Sequence, residues 1–190
     1  MTSTVKFSTN WYLNNSVCEI LPLKIQDNRG FFSEVYQKSD MEKLGVGDDF
    51  IQENQSFTKK QYTFRGLHFQ KPPFEQAKLI RVLKGSILDI ALDLRQNSST
   101  YLQHKQFTLS AQNFKQLYIP AGFAHGFLTL EDNCEISYKV SNPYNHASDV
   151  SLSVFDEKLG IELPCPIDII ALSEKDKKAK KLDSLGIIFK

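Results

Sequence analysis

An all-β sandwich or barrel is the fold class this sequence predicts, on three observations. Short runs alternate between apolar and polar residues, turn-forming residues separate them, and aromatics are plentiful, with 14 Phe and 7 Tyr in 190 residues. Many short strands divided by turn signals fit two packed sheets or one closed sheet, and flat rings pack well on pleated surfaces.

In chain order the alternating runs cover residues 17–25, 32–37, 63–70, 77–83, 86–94, 105–109, 116–119, 123–130 and 134–140. Between them stand Asn28-Arg29-Gly30, Lys84-Gly85, Asn97-Ser98-Ser99, Pro120-Ala121-Gly122 and Asn142-Pro143, all compositions that favour turns. Two stretches are expected to be helical. One opens at Ser39, a capping-type residue, and closes at Gly45; the other is capped by Ser173 and runs through residues 177–182. No internal repeat or linker interrupts the chain, so residues 1–190 are expected to form one domain.

Composition narrows the partners. A net charge of +1 gives no reason to expect nucleic acid or a membrane surface. Cys18, Cys134 and Cys165 are odd in number and widely spaced, which implies neither a disulfide framework nor a zinc site and fits a reducing compartment. No apolar run approaches the ~20 residues of a membrane span, and residues 1–10 lack the apolar centre of a signal peptide. A cytoplasmic location is therefore expected.

Alternation also assigns faces. In 134–140 the even positions Cys134, Ile136, Tyr138 and Val140 share one side, so Tyr138 points inward. The same count puts Lys78 with Ile80 and Val82, and His125 with Phe123 and Phe127. A lysine and a histidine on apolar faces are costly unless partnered. Histidine is the side chain whose ordinary pKa suits it to exchange a proton near neutrality. Lysine offers a fixed cation where an enolate oxygen develops, and tyrosine can return a proton from the other side. Alone, His68 reads best as a core histidine satisfied by hydrogen bonds, and Lys78 equally well as a snorkelling strand-end lysine. Together with an inward Tyr138, isolated burials become the poorer explanation.

Pro120-Ala121-Gly122-Phe123-Ala124-His125 has the Pro-x-Gly-x-x-His form found in cupin barrels. Metal-binding cupins add an earlier His-x-His, but here that stretch reads His68-Phe69-Gln70. Two histidines without a clear carboxylate make a poor divalent-metal site, so no metal is expected.

Asp27-Asn28-Arg29-Gly30-Phe31-Phe32-Ser33-Glu34, Gln52-Glu53-Asn54-Gln55-Ser56, Arg65 to Gln70, Gln76 to Leu79, Pro120 to Phe127, the Tyr138 and Tyr144 pair, and Leu172-Ser173-Glu174-Lys175-Asp176 follow one another along the chain. In that order these motifs resemble those of dTDP-4-dehydrorhamnose 3,5-epimerases. Each is weak alone; their order over residues 15–185 is specific.

The resemblance implies a cupin-type jelly-roll barrel with short peripheral helices, a homodimer, a nucleotide-sugar substrate and no cofactor. It matches His68 to the general base, Asp176 to the carboxylate paired with it, Lys78 to the residue steadying the enolate and Tyr138 to the proton donor. Arg29 and Arg65 match positions that hold the diphosphate; Glu34, Gln52 and Asn54 match nucleotide contacts, and Tyr144 the ring stacked on the base. His125, Asp149 and Lys175 fall on further ligand-contacting positions.

The sequence departs from the family pattern at Asp149, where glutamate is usual and the shorter side chain puts its reach in doubt, and at Ile161-Glu162-Leu163-Pro164, where tryptophan commonly precedes the proline. Other readings stay open at single residues: Ser173-x-x-Asp176 also fits a capping box, Arg29-Gly30 a plain turn, and Glu34 an exposed strand position. Simple alternation places Arg65 and His68 on opposite faces, with Gly66 the residue that could re-aim them through a bulge.

Such a set allows proton removal beside the 4-keto group of a 4-keto-6-deoxy sugar, an enolate, and reprotonation from the opposite face. Inversion at C3 and C5 is the leading outcome. Epimerisation at only one carbon, a metal-dependent cupin, and a non-catalytic sugar-binding cupin are the alternatives.

Overall fold

The computed structural model describes residues 6–186 with Ile188 and Phe189; residues 1–5 of the stretch read for a targeting signal lie outside the described residues. The strands are β1 (Phe7–Tyr12), β2 (Val17–Pro22), β3 (Ile25–Asp27), β4 (Gly30–Phe32), β5 (Gln52–Thr58), β6 (Phe64–Gln70), β7 (Lys78–Lys84), β8 (Ser86–Asp93), β9 (His104–Ser110), β10 (Gln116–Ile119), β11 (Phe123–Thr129), β12 (Cys134–Val140) and β13 (Asp149–Ser151). Two short helices accompany them, α1 (Lys38–Lys43) and α2 (Glu174–Lys177). Among the described residues no helix is long and apolar enough to cross a membrane.

Two antiparallel sheets form a cupin-type jelly roll. One has the order β1-β2-β10-β7-β12-β5, the other β13-β6-β11-β8-β9, and β3 and β4 make a separate hairpin. Strand alternation divides the apolar residues into an inner core and two outer layers. Between the sheets Ile80, Val82, Phe123, Phe127 and Ile136 join Val17, Ile87, Phe107 and Leu117. Outside the five-stranded sheet, Leu67, Phe69, Ala124 and Leu128 pack under Val154, Leu159 and Phe189 of the chain's last third. Outside the six-stranded sheet, Cys18, Ile20 and Leu79 are covered by Met41 and Val46 from α1 and the turn after it. Burial on both sides explains why β8 and β11 read as nearly continuous apolar runs.

The two helices differ in detail from expectation. The cap of α1 is Gln37, whose side chain accepts from the Asp40 N–H, and Ser39 lies inside the helix donating to Gln37. The run expected as a strand over 32–37 keeps only Phe32 in β4 before the chain turns into that helix. Ser173 caps α2 as expected, but the helix ends at Lys177, and residues 182–184 form a separate 3-10 turn. Ile161 and Leu163, in the segment without the usual tryptophan, pack against the outer layer of the five-stranded sheet.

One irregularity decides which side chains enter the barrel. In the β6–β11 pairing His68 faces His125 and Arg65 faces Phe127, so two residues of β6, Gly66 and Leu67, oppose Gly126 alone. The extra residue is a bulge, and it shifts the facing parity by one. Arg65 and His68, opposite by plain counting, thereby line the same cavity. Gly66 sits at φ +124°, and a Cβ there would lie 2.6 Å from Gly126 Cα and 2.7 Å from the His125 carbonyl oxygen. Gly66→Ala is expected to cost about 2–5 kcal/mol, from backbone strain plus overpacking. Urea denaturation of the variant checks this; a loss within experimental error of zero would mean that the bulge tolerates a side chain.

Candidate active site

Inward residues of both sheets leave a cavity of about 410 Å³. It is lined by Arg65 and His68 from β6, Lys78 from β7, His125 from β11 and Tyr138 from β12, with Asp176 of α2 closing one side. A second lobe of about 300 Å³ shares His68, Lys78 and Tyr138 and continues past Gln52, Asn54, Tyr144, Asp149 and Lys175. The catalytic candidates thus sit where two lobes of one cleft meet.

His68 Nε2 lies 2.5 Å from Asp176 Oδ1. The other carboxylate oxygen accepts from the Ser173 hydroxyl at 2.9 Å, while the Asp176 N–H donates to Ser173 Oγ at 3.1 Å. Capping box and histidine partner are therefore one structure: the cap fixes the carboxylate that fixes the ring. Burial works to raise the Asp176 pKa, but the bonds from His68, Ser173 and the Gly66 N–H outweigh it and hold the carboxyl below its usual range. With Nε2 bound to a carboxylate, Nδ1 is the nitrogen of His68 left to accept a proton.

Tyr138 and His68 come from different sheets and face the same space. Burial pushes the Tyr138 pKa up, with the positive charge of Arg65 acting in the opposite direction, so the phenol keeps its proton near neutrality. Half-buried Lys78 moves the other way: desolvation brings its pKa down to about 8, against the pull of Asp89 and Asp149. A lysine with its charge so poised can sit opposite developing negative charge in a dry cleft.

The binding candidates fall into two groups. Arg65 donates through Nε to Thr58 Oγ1 at 3.0 Å and through Nη2 to the Phe57 carbonyl at 3.2 Å, which anchors the guanidinium at the cleft. Gln52 donates to Asn54 at 2.7 Å. Asp149 Oδ2 accepts from the Tyr144 hydroxyl at 3.0 Å and from Lys175 Nζ at 2.5 Å, so the shorter acid still joins β13, the 141–148 loop and α2 at the mouth. Gln70, where a metal-binding cupin has its second histidine, clamps that loop instead: it donates to the Phe74 and Pro143 carbonyls and accepts from the Asn145 N–H. Among the described residues no three His, Cys, Asp or Glu side chains gather as a metal centre.

Arg29 and Glu34 are the exceptions, since neither lines the cleft of its own chain. Arg29 is in the β3–β4 turn, 85% exposed, with its guanidinium and its N–H on Asp27. Glu34 pairs with Lys6 at 2.9 Å. The plain-turn reading of Arg29 thus describes the isolated chain, because the hairpin stands apart from both large sheets.

Counting alternation for acids as well as bases would have found one further residue. Asp89 shares the inward face of β8 with Ile87 and Ala91, is fully buried, and holds His125 Nε2 with both carboxylate oxygens, at 3.0 and 2.9 Å. Ser56 lines the deeper lobe with its hydroxyl oxygen buried and unbonded among the described residues.

His68, Lys78 and Tyr138 line one cavity of a cupin-type barrel, residue types suited to proton exchange, and the class they point to is the cupin-type isomerases. Relatedness narrows the class. The family model for dTDP-4-dehydrorhamnose 3,5-epimerase matches residues 14–184, and the chain belongs to that family of epimerases. It is 42% identical over 170 residues to the dTDP-4-dehydrorhamnose 3,5-epimerase of Sinorhizobium fredii, covering 90% of this chain and 87% of that one. Among solved structures it resembles the Bacillus anthracis dTDP-4-dehydrorhamnose 3,5-epimerase with TDP and PPi bound (TM-score 0.88, 40% identity, 93% and 99% coverage). It also resembles the Legionella pneumophila dTDP-6-deoxy-D-glucose-3,5-epimerase in complex with dTDP-4-keto-L-rhamnose (TM-score 0.88, 36% identity, 94% of each chain).

Proposed function

We propose that this epimerase inverts C3 and C5 of dTDP-4-dehydro-6-deoxy-D-glucose to give dTDP-4-dehydro-L-rhamnose, with His68 as base and Tyr138 as acid. The observation that carries the reading is the cleft in which the Asp176-bound His68 and the protonated Tyr138 approach from opposite sheets, with Lys78 lining the same space. His68 Nδ1 takes the hydrogen beside the ketone, and Asp176 stabilises the imidazolium that forms. Lys78 stands opposite the enolate oxygen. Tyr138 delivers a proton to the far face, and its phenolate is reprotonated from solvent while His68 releases the proton it took.

The lobe holding Gln52, Asn54, Tyr144 and Lys175 suits a nucleoside diphosphate, whose base stacks on an aromatic ring and whose phosphates meet cations. Arg65 serves the diphosphate, and His125 and Asp149 the ligand on either side. Arg29 and Glu34 cannot do so from their own chain, so a homodimer that delivers them to the partner subunit's cleft is part of the proposal. It is supported by the apolar exposure around that hairpin, with Phe31 at 54% and Phe32 at 65%. Residues 1–190 act as one catalytic unit. Unpaired Cys18, Cys134 and Cys165 agree with the cytoplasm as its location.

Incubation with dTDP-4-keto-6-deoxyglucose in deuterated water tests the reaction. NMR of the product is expected to show deuterium and inversion at both C3 and C5. Label and inversion at one carbon alone would make the protein a mono-epimerase, and no exchange at either would overturn the proposal.

A further inference from the structure

Asp89 takes no part in the chemistry above, yet it is fully buried beneath the residues that do. On β8 it pairs across the ladder with Phe127 of β11, and its side chain turns inward toward His125. The one donor its carboxylate has among the described side chains is His125 Nε2. Burial lowers the His125 pKa against the pull of Asp89, so the ring is neutral and supplies no counter-charge. A buried carboxylate in that position calls for a cation nearby.

Lys78 lines the same cavity as the His125 ring that Asp89 holds, and its charge is within reach of that carboxylate. Charged and titratable groups surround the cleft that Lys78 lines: Asp89 behind His125 on β8, His125 on β11, His68 and Arg65 on β6, Tyr138 on β12, Asp149 on β13, and Lys175 and Asp176 on α2. Two of these are acids that favour the ammonium form, and Asp89 does so more strongly than Asp149. Asp149 is already occupied, bonded to Lys175 and Tyr144. Asp89 has only a neutral ring.

We propose that Asp89 is a positioning residue: it fixes His125 with the proton on Nε2, and its charge keeps Lys78 an ammonium ion. The first effect leaves His125 Nδ1 as an acceptor, suited to a sugar hydroxyl and unsuited to a keto oxygen. The second leaves Lys78 as the donor for the keto oxygen. Resting on the epimerase reading, the pair would orient the sugar, ketone to lysine and hydroxyl to histidine.

The sign of the charge effect is definite. Removing an adjacent anion disfavours the ammonium form, so the Lys78 pKa falls when Asp89 is neutralised. Competitive acetylation with acetic anhydride, read by mass spectrometry across pH, reports the neutral fraction of Lys78 without substrate. The wild-type midpoint is expected at about 8. Asp89→Asn is expected to lower it by about one to two pH units, while Asp89→Glu, which keeps the charge, leaves it nearer the wild-type value. The alkaline limb of kcat/KM should move with it.

An unchanged acetylation midpoint in folded Asp89→Asn would overturn the charge role. Nitrogen-15 histidine NMR of the wild-type protein tests the tautomer whether or not the variants fold. A proton on His125 Nε2 is expected, and a proton on Nδ1 instead would overturn that role. Neither measurement involves turnover, so their failure is distinct from failure of the epimerase reading, which the deuterium experiment decides.

Discussion

Replacing His68 with asparagine should lower kcat by about 10²–10⁴-fold, the usual contribution of a positioned general base. Asparagine can still bond to Asp176, so the cap on α2 and the fold around it should persist. What is lost is the nitrogen that accepts the hydrogen from carbon, a contact made in the transition state. Affinity for dTDP arises elsewhere, in the lobe with Gln52, Asn54, Tyr144 and Lys175. Its Kd should therefore stay within about twofold of the wild-type value, the signature of a residue used in catalysis and not in ground-state binding. Calorimetry with dTDP and a single-turnover assay measure the two quantities. Near-wild-type turnover in the variant would remove His68 from the role of base, and a large loss of dTDP affinity would make it a binding residue.

Tyr138→Phe should separate two events that the wild-type protein performs together. The phenylalanine keeps the ring, and with it the packing against the inner core beside Ile136. Only the hydroxyl goes, and burial keeps that hydroxyl protonated and ready to donate. His68 can still abstract, and Lys78 can still face the enolate. The proton on His68 then returns to the face it left, or exchanges with solvent first. In deuterated water the variant should wash deuterium into C3 or C5 of recovered substrate faster than it forms inverted product, with inversion down by about 10²-fold or more. Full epimerisation would show that another group donates. Loss of both exchange and inversion in a folded variant would mean that the tyrosine positions the sugar before any proton moves.

Most of the barrel was legible because its strands are apolar on the side they bury. The runs at 116–119 and 134–140 coincide with β10 and β12, and the inward assignments of Lys78, His125 and Tyr138 hold. Five strands escaped: β1, β5 and β13 lie outside every expected run, and β3 and β4 share only Ile25 and Phe32 with one. β1 and β5 are sheet edges with polar sequences, and β13 is three residues long. β5 is instructive, since its inward residues Gln52, Asn54 and Ser56 face the polar cleft, so function erased the apolar alternation that marks a strand. The site itself was harder to read. Periodicity alone set Arg65 against His68, and only the bulge at Gly66 and Leu67 brings them to one side. Ser173 and Asp176 read as a helix start, which they are, but the partner of Asp176 is 108 residues away and has no local signal. Asp89 did leave a trace, an acid on the buried face of an apolar strand.

The bond between His68 and Asp176 also bears on when the protein becomes competent. α2 is a four-residue helix held by one serine cap, and segments of this kind open locally far more easily than a barrel core. Whenever it frays, His68 loses the carboxylate that orients its ring, although both sheets stay closed. During synthesis the same dependence imposes an order. Strands as far as β12 can pair while the base is still unsupported, because its partner has not yet emerged. On the proposed mechanism catalytic competence is thus a late event, reached only when α2 has been made and has closed on His68.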